Sequence, residues 1–429
     1  MCGTTRSRSP GLPWLKDRLV GVRTMSDKTI GDRLGELRRY RDVTQEGLAE
    51  RSGVHVDTIR KLEQNIRQSA RLSTLRALAR ALDTELDRLL GQPTVTTELS
   101  DDGGLIALRD AIQDISALPG VPADGLDEEP PSAEVWMDQV RAATTLYWKG
   151  GYSKLAGSLP LVLRDGRAVV RETTGSLVEQ VWKQLALAYQ LAASLAVQAG
   201  HPDWAFEAVA KQLEAAQRAS DPLMEGMGVS TLSWVLLRQG RWEEAQSVAE
   251  RKADALEPSM RGGTSAQYAV YGNLLVAAAT PAARRDRKDE ADQFLNFAEA
   301  AAVRSGSVRV YGTAFSPVDV KTQIVNIAMA GTEPEPAKAL EASGDVRHEL
   351  IRRPVHLAAH RLDVAQAQYQ TGDNEGALET LLEMEAAQPE WSRYQALARA
   401  TVLEIREEEK RRNTRLRGLA ARLGVEPAL

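Results

Sequence analysis

The chain reads as all-α: a bundle of five short helices near the N-terminus, then a long α-solenoid of paired helices. Two patterns predict this. Apolar residues recur at three- and four-residue spacing over most of the 429 residues, and no segment alternates convincingly enough to be a strand. Beyond residue 133, a glycine or aspartate is followed five residues later by alanine: Gly151/Ala156, Gly200/Ala205, Gly240/Ala245, Asp286/Ala291 and Gly372/Ala377. These units lie 49, 40, 46 and 86 residues apart, and the last gap holds two units with Gly331 between them. A glycine at such a turn supplies a left-handed helix cap, and the alanine lets the second helix pack closely on the first. Helical hairpins at this period stack into a superhelix.

Along the chain, residues 1–24 carry Arg6, Arg8, Lys16, Arg18 and Arg23 against the single acid Asp17, without the apolar run of a signal peptide. They are expected to be a disordered basic arm, or to precede a true start at Met25. Five helices follow over 28–91, with apolar faces Ile30/Leu34/Leu37, Leu48, Ile59/Leu62, Leu75/Leu78/Leu82 and Leu86/Leu89/Leu90. Residues 92–132 read as a linker, marked by Gly103-Gly104, Pro119-Gly120 and Glu128-Glu129-Pro130-Pro131. Its middle, with Leu105, Leu108, Ile112 and Ile115 at helical spacing, is a short helix able to dock on a domain. Residues 133–425 hold the repeats.

Composition narrows the function classes. At 43% hydrophobic, 26% charged and 5% aromatic, the chain suits a soluble globular protein with a real core. Its one cysteine, Cys2, excludes an internal disulfide and any multi-cysteine metal site, and fits a reducing cytoplasm. No run approaches 18 consecutive apolar residues, so no membrane span is expected. The net charge of −5 is unevenly spread: +4 over 1–24, +2 over 25–91 and −11 over the rest. Phosphate backbones attract the first part and repel the last.

The strongest local signal lies in the positive part: TQEGLAERSGVHVDTIRKLEQ, residues 44–64. Thr44 can cap a helix starting at Gln45, Gly53 suits a tight turn, and Ile59 and Leu62 point a third helix at the core. His55, Val56, Asp57, Arg60 and Lys61 are left on the outer face. The segment resembles the XRE family, the Cro and lambda-repressor type of helix-turn-helix. It matches at the glutamine, the Leu-Ala pair, the turn glycine, the isoleucine and the Leu-Glu pair. The flanks IGDRLGELRRYRD and LSTLRALARALDTELDRLLG match as well, so the likeness covers about 28–91. It departs from the family at His55, where serine or threonine is usual, and at Asn65, where glycine is usual. The resemblance implies a sequence-specific DNA-binding domain with a lambda-repressor-like fold whose third helix enters the major groove of double-stranded DNA. Thr44 and Gln45 would grip phosphate, with His55, Val56 and Thr58 beside the DNA. Arg60, Lys61 and Arg67 would reach base edges or phosphates. Asp57 either accepts from cytosine N4 or caps the helix. The plain alternative for these charges is a solvated helix face.

The remainder resembles regulators in which this helix-turn-helix precedes tetratricopeptide-like repeats, with WKGGYSKLAGSLPLVLRD and LAYQLAASLAVQAGHPDWAFEAV most like the actinobacterial group. In such repeats the first helix of each pair lines the concave face. Placing the turn glycines in register puts Gln190, Ser194, Trp234, Asn273, Lys321 and Gln366 there. Amides can bracket a peptide unit; equally, polar residues simply coat a wet groove, and Trp234 serves as core. The expected protein is a cytoplasmic transcription regulator, a homodimer whose repeats sense a peptide, small molecule or protein partner. The alternative is an interaction scaffold with a vestigial helix-turn-helix. His356 and His360 stand i, i+4 but imply no third ligand, so no metal is expected. No phosphate loop, triad or cofactor motif is present, and no enzyme is expected.

Overall fold

The computed structural model describes residues 28–67, 70–90, 102–114, 129–259, 261–408 and 413–425. The basic segment 1–24 and most of the 92–132 linker lie outside them. The architecture is all-α, with one small hairpin.

The N-terminal bundle consists of α1 (Ile30–Tyr40), α2 (Gln45–Ser52), α3 (Val56–Glu63), α4 (Leu72–Ala81) and α5 (Leu86–Leu90). Each start is locally encoded. Thr29 and Asp32 form a reciprocal capping box on α1, and the Thr44 hydroxyl accepts from the Gly47 amide at 3.0 Å. Gly53 closes α2 in a left-handed conformation, and Asn65 takes the same conformation after α3. Leu34, Leu48, Ile59, Leu62, Leu78 and Leu89 are fully buried in one core. Gly31 is required by packing: a Cβ there would lie 1.8 Å from the Leu62 carbonyl oxygen, where α1 crosses α3.

A further helix, α6 (Asp102–Ile112), buries Leu108 and Ile112 in the repeat core, chiefly against α8. The repeats then run as antiparallel pairs: α7/α8 (Ala133–Lys149, Tyr152–Glu172), α9/α10 (Val178–Gln198, Pro202–Arg218), α11/α12 (Pro222–Arg238, Trp242–Ala255), α13/α14 (Ser265–Arg284, Lys288–Ser305), α15/α16 (Pro317–Ala328, Pro336–Gly344) and α17/α18 (Pro354–Gln370, Asn374–Ala387). The chain ends in α19 (Pro389–Arg393), α20 (Ala396–Glu408) and α21 (Thr414–Arg422). The turn pattern has the physical cause read from the sequence. Gly200, Gly240, Asp286, Gly331 and Gly372 are all left-handed, and Ala205, Ala245, Ala291 and Ala377 are fully buried. The first unit differs: Gly150 takes the left-handed turn, and Gly151 has φ −79°.

The strand-free expectation needs a correction. Between α14 and α15, β1 (Val308–Val310) pairs antiparallel with β2 (Thr313–Phe315). Its two turn residues, Tyr311 and Gly312, both have positive φ, the geometry that suits the twist of a two-residue hairpin. The hairpin reaches across the concave side. Gly312 abuts Leu187 and Gln190 of α9, and the Tyr311 hydroxyl is hydrogen-bonded to Asp221.

The repeats also close on themselves. Helices α7 to α11 share one core with α17, α18 and α19 to α21. The Ser153 amide donates to Glu390 at 3.0 Å, and Tyr152 and Tyr394 rings lie 6.5 Å apart. The N-terminal bundle docks on this ring through α4 and α5. Ala400 of α20 enters the bundle core, and Gly240 packs so tightly that a Cβ would lie 2.4 Å from the Asp83 carbonyl oxygen. No helix among the described residues is long and apolar enough to cross a membrane.

Candidate nucleic-acid interface and ligand pocket

Helix α3 is held from behind by a charged node. Arg38 of α1 grips Glu63 of α3 through two nitrogens, at 2.7 and 2.8 Å, and Gln45 of α2 donates to the same carboxylate at 2.7 Å. Burial opposes the Glu63 charge, but the hydrogen bonds from Arg38 and Gln45 prevail and hold its pKa below the usual value. Three helices therefore meet at one ion pair whose side chains are only 14% and 10% exposed.

In front, Thr44, His55, Asp57, Arg60, Lys61 and Arg67 are exposed, while Gln45, Val56 and Thr58 are half-buried. Thr44 and Gln45 stand at the start of α2, His55 to Thr58 at the start of α3, Arg60 and Lys61 in its last turn, and Arg67 just past it. Two details differ from the sequence reading. The cap of α3 is His55, whose Nδ1 accepts from the Asp57 amide at 3.2 Å; Asp57 instead pairs with Arg60 at 3.5 Å. Gln45 is committed inward to Glu63 by its side-chain amide. Arg60 also reaches Glu46 at 2.6 Å, whereas among the described residues Lys61 has no acidic partner. The docked faces, α4 and α5, are not the face that carries these residues.

The concave side encloses a cavity of about 440 Å³, within the range of small-molecule sites. Its walls come from α7, α9, α11, α13, α15 and α17, the first helix of each pair, and from the β1–β2 turn. Gln190, Ser194, Trp234 and Asn273 all line it. Trp234 also packs on the core. Two expected groove residues lie elsewhere. Lys321 points away and pairs with Asp345 at 3.9 Å, while its neighbours Thr322 and Gln323, with Asn326, line the cavity. Register differs here: counted back from the turn glycine, the cavity-lining positions of α15 fall one residue closer to Gly331 than those of α9 and α11 fall to Gly200 and Gly240. Gln366 is fully buried and accepts from Arg76 of α4 at 2.6 Å, because the bundle covers that end of the groove.

Trp148, Arg284 and Arg353, not anticipated from sequence, join Gln190 and His360 in the pocket chemistry. Trp148 Nε1, Gln190 Oε1, Arg284 Nε, Arg353 Nη1 and both His360 nitrogens are buried without a protein partner. Unpaired buried polar atoms are unusual in a folded protein, and here six surround one cavity. Desolvation, with His348 nearby, lowers the His360 pKa to about 4, and burial lowers that of His356. Both are neutral at pH 7. The described residues contain no cluster that could hold a metal ion.

Glu85, on the segment leading into α5, also lines the cavity; it accepts from Trp242 Nε1 at 2.8 Å and lies 3.8 Å from Arg284. Nearby, Asp363 accepts from Asn326 at 3.0 Å, and desolvation raises its pKa from 3.8 to about 6 against the pull of Asn326, Arg284 and Arg76. The folded chain binds this proton more tightly than the unfolded chain. Stability contributed by Asp363 is therefore greatest at low pH and falls as pH rises from about 4 to about 6. Asp363→Asn is expected to flatten that segment of the thermal-stability profile. Melts at about pH 4, 5, 6 and 7 check this, and an unaltered slope would refute the assignment.

Residues 34–89 match the helix-turn-helix family. The bundle is a helix-turn-helix domain, and α2 and α3 are its paired helices. Among solved structures, the chain is similar to PlcR of Bacillus thuringiensis in complex with the peptide PapR7 and DNA. The identity is 11%, the match covers 84% of this chain and 98% of that one, and the TM-score is 0.29. It is also similar to the apo form of ComR from S. thermophilus, at 12% identity, 84% and 96% coverage and a TM-score of 0.23. At those scores neither superposition establishes a shared arrangement of helices. No curated protein matches the sequence.

Proposed function

We propose that the protein is a sequence-specific DNA-binding transcription regulator whose repeat domain senses a peptide, a small molecule or a protein partner. It acts in the cytoplasm as a homodimer reading two half-sites, and it catalyses nothing. One observation carries this reading. The cavity wall includes Glu85 of the helix-turn-helix domain beside Arg284 and Asp363 of the repeats, so an occupant of the cavity touches the reading head itself. An occupant that favours one docking of the two domains must, by linkage, have its own affinity altered by DNA to the same factor.

The test begins with Arg60→Ala and Lys61→Ala. Both side chains are exposed, so the fold is expected to survive. Each hydrogen-bonded pairing with a base edge is worth about 1–3 kcal/mol, so the double variant is expected to fall on the order of a hundredfold in specific affinity. A gel-shift salt series is expected to show a slope reduced by about one for each phosphate no longer neutralised. Unchanged affinity and slope would sink the DNA-reading role. The scaffold reading has one observation in its favour, the tie of Arg60 to Glu46 and Asp57 within the chain. Its expected outcome is a wild-type protein with no sequence preference at any salt concentration.

A further inference from the structure

We propose that Arg353, at one end of the cavity, together with Arg309, which stacks on Trp148 of the cavity wall without itself lining it, receives the terminal carboxylate of an extended ligand four or five peptide units long. This rests on the sensing reading above and names the ligand's chemistry.

The two guanidinium carbons lie 4.4 and 5.2 Å from the centre of the Trp148 ring. Among the described residues, neither has a carboxylate within ion-pair distance. The acid that influences Arg353, Asp319, is occupied by the Ser316 hydroxyl at 2.6 Å and faces His356 at 3.7 Å. Arg353 Nη1 is buried and without an acceptor. Two like charges on one indole, with an unspent donor at the cavity wall, form a receptor for an anion. A guanidinium fork matches a carboxylate in two parallel hydrogen bonds.

The extent of the ligand follows from α17. Arg353 at its cap, then His356, His360 and Asp363, all line the cavity at three- or four-residue spacing, which places them on one stripe. About ten residues of helix span about 15 Å, and an extended chain advances about 3.3 Å per residue, which gives roughly four or five units. Along the stripe the imidazoles are neutral, and across it Gln190 presents its amide and Asn273 its Oδ1, the Asn273 Nδ2 donating to the Ala269 carbonyl at 2.8 Å. The far end carries Asp363 and Glu85 with Arg284 beside them.

The experiment titrates the full chain by calorimetry with three probes: mixtures of unblocked tetra- and pentapeptides, the same mixtures as C-terminal amides, and inorganic phosphate. The free acids are expected to bind about tenfold or more tighter than the amides. Arg309→Gln and Arg353→Gln are each expected to bring that ratio near one. Arg353→Lys, which keeps the charge and removes the fork, is expected to fall between. Arg309 is itself exposed on β1, so R309Q tests the idea even if R353Q fails to fold. Equal binding of acids and amides would overturn the assignment and leave the sensing reading standing. Phosphate binding without peptide binding, abolished in the same variants, would overturn the extended ligand in favour of a small-anion receptor. Binding of no probe also overturns the assignment, and the DNA measurements above then judge the wider reading separately.

Discussion

Glu63→Ala is expected to cost the helix-turn-helix domain about 3–5 kcal/mol, the usual penalty for stripping one partner from a buried ion pair. The size follows from what is left behind. Arg38 is 14% exposed and would keep its charge with no carboxylate to receive it, while the Gln45 amide would also be left without its acceptor. Since whole domains are stable by only about 5–15 kcal/mol, this penalty approaches the stability of so small a unit. Hydrogen exchange is expected to accelerate first in α1, α2 and α3, and DNA binding to fail with it. Arg38→Met combined with Glu63→Met is expected to recover much of the fold, because no buried charge remains. A shift below about 1 kcal/mol for the single variant would show the node to be solvated.

Arg76→Ala is the second large effect, and it acts between domains. Arg76 donates to Gln366, and desolvation lowers its pKa to about 10 against the pull of Glu404 and Asp363. Glu404 in turn accepts from the Leu72 amide, and Arg80 pairs with Asp286. Removing the guanidinium leaves Gln366 without its donor and Glu404 without its cation, while Arg284 stays beside Asp363; the expected cost is about 3 kcal/mol. The expected result is faster hydrogen exchange in α4 and α20, with DNA affinity of the reading head retained, since α3 does not face the ring. Unchanged exchange around Ala400 would show that docking does not depend on this residue.

The helix-turn-helix domain was legible because its instructions are local. A threonine cap, a left-handed glycine, a left-handed asparagine and an apolar triplet act within a few residues of themselves. The repeat turns were legible for the same reason. The hairpin at 308–315 escaped because three-residue strands are too short to show alternation, although Tyr-Gly between valine and threonine was a usable turn signal. Lys321 lies off the groove because the lining face of α15 sits one residue nearer its turn glycine than in α9 and α11, and one residue rotates a helix face by about 100°. Gln366, expected on the open groove, is covered by α4, a docking that joins segments 290 residues apart and is invisible to periodicity. His55 as a cap, and the Arg309–Trp148–Arg353 group, depend likewise on geometry that spacing does not encode.

The closure of the repeats bears on how the chain folds. In an open array each unit touches only its neighbours, so units add and melt nearly one by one, and nucleation can occur anywhere. Here the hairpins at the two ends share a core, and Ser153 and Glu390 meet across 237 residues. Such a pairing is rewarded only after the intervening chain is in place, which raises contact order and slows assembly. The first and last hairpins therefore stand or fall together. Truncating the chain at residue 372 is expected to broaden and split the melting transition, and to expose α7 and α8 to proteases far earlier than the middle repeats.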